Sequence, residues 1–67
     1  MLKRSLTIAG HRTSIALEPE FWAALEKLAT KRGLRLTALI EEIDASRESP
    51  NLSSALRVAV LRAHLKA

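Results

Sequence analysis

The chain has no cysteine and no tyrosine, and its 67 residues include a single Phe and a single Trp. Without cysteine there is neither a disulfide framework nor a thiolate metal site. His11 and His64 lie far apart in the sequence with no ligand spacing around them, so a metal site of another kind has no support. Charges interrupt every apolar run before it reaches membrane-spanning length. The opening MLKRSLTIAG carries two basic residues, but its apolar stretch is too short for a signal peptide. A cytoplasmic location is the expectation. No nucleophile–base pair and no phosphate-cradling glycine loop is present, so neither size nor residues provide a catalytic site, and no cofactor is implied.

What is present is mostly Leu, Ala, Ile and Val, within a hydrophobic content of 48%. That is the composition of a small helical protein. The length allows one domain at most. A core this small is marginal, and with disulfides and metal set aside, oligomerisation is the remaining way to enlarge it. Eleven Lys and Arg against seven Asp and Glu give a net charge of +4 and a pI near 10.4. A polyanionic partner fits that balance, more so if a dimer doubles the charge.

Residues 3–17 read as extended, in two blocks. In the first, Leu6 and Ile8 alternate with Ser5 and Thr7; in the second, Thr13, Ile15 and Leu17 alternate with Arg12, Ser14 and Ala16. The apolar phase is even-numbered in the first block and odd-numbered in the second. A period of two cannot slip in this way without a bulge, bend or turn, and Gly10 lies at the junction. An intrachain hairpin is one solution, although Ala9-Gly10-His11 is not a strong two-residue hairpin signal.

The first predicted helix has Pro19 in its first turn, with Glu18 and Glu20 near the positive end of its dipole. Its apolar face holds Phe21, Ala24, Leu25, Leu28 and Ala29, and Gly33 ends it as a left-handed cap. Trp22 is expected to cover the core or an adjoining surface. The second helix begins after Leu36, with Thr37 as its N-cap and Leu36, Leu39, Ile40 and Ile43 on its apolar side. Glu41, Glu42 and Asp44 read as a solvated acidic face. The polar stretch SRESP separates it from a third helix capped by Asn51 and spanning 51–66. One stripe of that helix is Leu52, Ala55, Leu56, Ala59 and Ala63. A second stripe is Val58, Leu61 and Leu65. Apolar on two sides, it is expected to be buried against more than one neighbour.

Strand, helix, glycine turn, helix: over 12–43 this order resembles the ribbon-helix-helix family of DNA-binding proteins, the Arc and MetJ type. The resemblance rests on the strand RTSIAL, on Leu25 and Leu28, on Gly33, on Thr37, and on Leu39, Ile40 and Ile43. GHRTSIALEPEFW together with NLSSALRVAVL is also similar to a compact bacterial subgroup. The resemblance implies a mainly α fold with one N-terminal strand per chain, paired antiparallel with the same strand of a second chain in an intermolecular ribbon. Three helices follow the strand.

The homodimer core would then contain Ile15, Leu17, Leu25, Leu28, Leu39, Ile40 and Ile43. Arg12, Ser14 and Ala16 would face DNA bases in the major groove, Ala16 offering only apolar contact. Thr37, Lys3 and Arg4 would meet phosphates. Residues 3–10 are then either a second strand or a disordered arm. The function implied is sequence-specific binding of double-stranded DNA by a bacterial transcription regulator. The alternative is an antitoxin-like or adaptor dimer that docks another protein through the third helix or the N-terminal segment.

Overall fold

The computed structural model describes residues 1–66. Strands β1 (Leu2–Ile8) and β2 (His11–Leu17) precede helices α1 (Pro19–Lys31), α2 (Leu36–Ser46) and α3 (Leu52–Lys66). The expectation of one strand per chain is corrected. β1 pairs antiparallel with β2 of the same chain, from Leu2 opposite Leu17 to Ile8 opposite His11. The pairing explains the shift of apolar phase. Across a two-residue turn every even-numbered residue faces an odd-numbered one, so a single inner face takes even residues from β1 and odd residues from β2.

The turn is Ala9-Gly10, with φ of 51° and 82°. Positive φ at both central residues matches the twist of a tight hairpin. Glycine adopts this conformation freely, whereas alanine pays for it in steric strain. Compensation comes from α2, whose Glu41 carboxylate accepts the Ala9 backbone N–H at 2.8 Å. That tertiary bond is what the dipeptide alone did not reveal.

Helix α1 ends in a two-bond cap. The Leu34 N–H donates to the Ala29 carbonyl at 2.8 Å and the Gly33 N–H to the Thr30 carbonyl at 3.0 Å. Gly33 is left-handed at φ 69°, as this closure requires. Asn51 caps α3, its Oδ1 accepting the Ser54 N–H at 3.1 Å. Thr37 does not cap α2. That helix begins at Leu36 with Arg35 in the capping position and no side-chain cap bond.

The core consists of Ile8, Ile15, Leu17, Trp22, Leu25, Ala29, Leu39, Ile40 and Leu56, with Leu28 and Ile43 partly buried against it. Ile15, Leu17, Leu25, Leu39 and Ile40, expected to need a second chain, are therefore covered within one chain. β1 contributes Ile8 to that cover, and α3 contributes Leu56. The radius of gyration, 11.0 Å, is that of a closed fold of this length, about 11 Å. The second stripe of α3 departs from expectation. Leu56 is buried, but Val58, Leu61 and Leu65 are exposed, because α1, α2 and β2 all contact α3 and leave its far side open.

Candidate nucleic-acid interface

The inner face of the hairpin packs Leu6, Ile8, Ile15 and Leu17 against the core, and its polar face is the outer one. There Lys3 is opposite Ala16, Ser5 opposite Ser14, and Thr7 opposite Arg12. All are exposed except the half-buried Ala16. The two serine hydroxyls lie 3.3 Å apart, so each holds the other near the middle of the ribbon. Lys3 and Arg12 take part in no ion pair among the described residues, whereas Arg4, Arg32, Arg47 and Arg57 each bind a carboxylate. The ribbon thus carries uncompensated positive charge on two side chains and hydroxyl donors and acceptors between them.

Of the residues singled out in the sequence, Lys3, Arg12, Ser14 and Ala16 come together on this face. Ser5 and Thr7 join them; their alternation with Leu6 and Ile8 was the signal, but it needed the hairpin to acquire a face. Arg4 lies elsewhere. Its position opposite Ile15 is on the inner side, from which its guanidinium reaches Glu26 at 2.8 Å and lies over the Trp22 ring, 4.7 Å from the centroid. Trp22 is itself buried, and its indole N–H donates to the Leu2 carbonyl at 2.8 Å. Together these contacts fasten β1 to α1 and fix the outward direction of Lys3, Ser5 and Thr7.

Thr37 is half-buried in the first turn of α2. The Leu39 N–H bonds back to the Arg35 carbonyl at 3.0 Å. The amides of Leu36, Thr37 and Ala38 precede that first helical bond, where helix N–H groups lack intrahelical partners. Arg35 is exposed next to them. His11 is exposed at the end of β2. Among the described residues no group of three His, Asp or Glu could hold a metal ion, and no helix is long and apolar enough to cross a membrane.

One titratable group is clearly perturbed. Glu18, which precedes α1, is held below the usual carboxylate range, first by a backbone hydrogen bond at Glu18 itself and then by Arg57. The Arg57 guanidinium lies 3.0 Å from it. This pair joins the start of α1 to α3 and is remote in role from the polar ribbon face.

A two-stranded ribbon with a polar, cationic outer face, backed by a helix, a glycine turn and a second helix, defines the class: a ribbon-helix-helix fold. The ribbon-helix-helix domain family matches residues 1–64, and the chain belongs to that family. Its members dimerise and generally bind DNA, as transcription regulators or antitoxins, and are typically not enzymes. The solved structure of an uncharacterized protein from Bordetella pertussis Tohama I is similar, with a TM-score of 0.79 and 39% sequence identity over 96% of this chain. This chain spans 55% of the length of that protein. No curated protein shows significant similarity to the chain.

Proposed function

We propose that this chain binds double-stranded DNA sequence-specifically, as a small homodimeric bacterial transcription regulator acting in the cytoplasm. The hairpin's outer face enters the major groove. The observation that carries the reading is the set of three cross-strand rows, Lys3–Ala16, Ser5–Ser14 and Thr7–Arg12, on one exposed face. A two-stranded ribbon fits a groove about 12 Å wide. In this reading Arg12 donates in bidentate fashion to guanine, Ser14 and Ser5 hydrogen-bond to base edges, and Ala16 touches a thymine methyl. Lys3 and the first turn of α2, with Thr37, hold phosphates through charge and free N–H groups. Arg4 serves first as a fastener to Glu26 and would have to leave it to reach a phosphate.

The pairing within one chain alters what the dimer does. Each subunit brings its own two-stranded ribbon, so a second subunit repeats the contact at a second half-site by two-fold symmetry. The domain is then 1–67, with the 12–43 motif completed by β1 and α3. Selection of genomic fragments by the purified protein, followed by sequencing, tests the reading. An enriched motif bound with a steep salt dependence is the expected result. A protein that retains fragments without sequence preference would remove the specific-regulator reading.

A further inference from the structure

The far side of α3 is apolar, and no other described part of the chain covers it. Val58, Leu61 and Leu65 are 40%, 54% and 73% exposed. Their spacings of three and four residues place them in one stripe, on the side of the helix away from buried Leu56. An alternation of three and four is the period of a helix-pairing seam. Next to the stripe, Arg62 and Lys66 lie exposed on one side, neither in an ion pair among the described residues; on the other lie His64 and Arg57, the latter already paired with Glu18. The helix, LSSALRVAVLRAHLK, contains no acidic residue. On the α1 side the positive charge comes from Lys27 and Lys31, which line a groove together with His64.

We infer that the outer stripe of α3 is a docking surface for an acidic amphipathic helix of a partner protein. Charge selects the occupant. In a helix pair the residues flanking the seam decide which partner is accepted. A second copy of this face, in either orientation, would set Arg62 and Lys66, or Lys27 and Lys31, against the same basic groups. A helix with a leucine seam and glutamate flanks would complement both the stripe and its borders. The stripe is narrow and has no aromatic residue, which sets it apart from the broad, aromatic-bearing face of a helix that lies in a membrane surface. The surface is distinct from the hairpin's outer face, so this inference stands apart from the DNA reading.

The test uses a short labelled synthetic helix with leucine at its seam positions and glutamate at its flanks, whose own charges oppose self-pairing, and the same helix with lysine flanks. Fluorescence anisotropy with the full chain should show saturable binding of the glutamate helix and none of the lysine helix. Leu61→Ser with Leu65→Ser should weaken that binding by about tenfold or more. Arg62→Glu with Lys66→Glu should reverse the preference between the two helices. All four positions are exposed, and circular dichroism verifies that the variants keep their helices. Arg12→Ala should leave peptide binding unchanged, which separates this surface from the ribbon. Equal binding of both helices, or binding indifferent to the α3 variants, would overturn the inference. So would self-association abolished by Leu61→Ser, which assigns the stripe to a second copy. Preferential binding of the chain to phosphatidylglycerol vesicles, abolished by the same substitution, would assign it to a membrane.

Discussion

The backbone N–H of Ala9 donates to Glu41 across 2.8 Å, tying the hairpin tip to the second helix. The residue it steadies is the one non-glycine residue at positive φ among those described. Asparagine tolerates this conformation better than alanine, and Asn-Gly is favoured in such turns. Ala9→Asn should therefore raise stability by about 1 kcal/mol. Glu41→Ala should lower it by about 1 kcal/mol through the lost charge-assisted bond. Urea unfolding of both variants measures this. A destabilised Ala9→Asn would mean that the turn is not the left-handed pair described.

Burial places Leu39 of α2 and Leu56 of α3 on equal terms, each 0% exposed. Leu39→Ala and Leu56→Ala should each cost on the order of 2–5 kcal/mol. The second substitution is the more informative, because it asks whether α3 is part of the core or an appendage. If Leu56→Ala leaves the thermal midpoint unchanged, α3 does not close the core.

Because that core closes within one chain, folding and dimerisation should separate. Helical circular dichroism should persist on dilution to concentrations at which sedimentation shows the proposed dimer dissociating. Joint loss of the two signals would instead make the dimer obligate, the chain folding only with its partner.

Much of this fold was legible because local chemistry and tertiary structure agree. Gly33 ends α1 because a residue without a Cβ takes the left-handed cap freely, Asn51 begins α3 through its side-chain oxygen, and Leu25, Leu39 and Ile40 are core at helical spacing. What was not legible depended on contacts distant in sequence. The phase shift between Ile8 and Thr13 called for a turn, but choosing a hairpin required Glu41 to support Ala9. Arg4 and Lys3 are neighbours in sequence, yet alternation sends Lys3 outward and leaves Arg4 to Glu26 and Trp22. Thr37 has the chemistry of a cap, but α2 starts one residue before it, with Arg35 in that place. On the outer face of the ribbon, Arg12, Ser14 and Ala16 were visible in one strand; Ser5 and Thr7 became their neighbours only through the register.

The Glu18–Arg57 pair has a pH signature. Because the folded-state pKa of Glu18 is depressed, its stabilising contribution is present above the unfolded carboxylate range. That contribution is lost as pH falls through the folded value. Glu18→Gln should therefore lower the thermal midpoint at neutral pH. The gap from wild type should close as the solution is acidified. A gap independent of pH would mean that the charge of Glu18 contributes nothing, and its partial exposure already limits the effect to a small one.

The ribbon face is tested by which substitutions change specificity and which change only affinity. Arg12 sits opposite Thr7 on the outer face and takes part in no ion pair among the described residues, so Arg12→Ala should leave the fold intact. If its guanidinium reads a base, the variant should lose about 1–3 kcal/mol per half-site on the selected sequence and relax the preference there. Binding to scrambled duplex should fall less. Lys3→Ala, if Lys3 meets a phosphate, should weaken both sequences alike and reduce the slope of affinity against salt by about one. Arg4→Ala should behave differently from Lys3→Ala. Its first effect should be on stability, through Glu26 and Trp22, so unfolding must be measured beside binding. Titrations of the three variants at several salt concentrations, on selected and scrambled duplexes, distinguish these roles. Undiminished specific binding by a folded Arg12→Ala protein would move the contact surface off the ribbon.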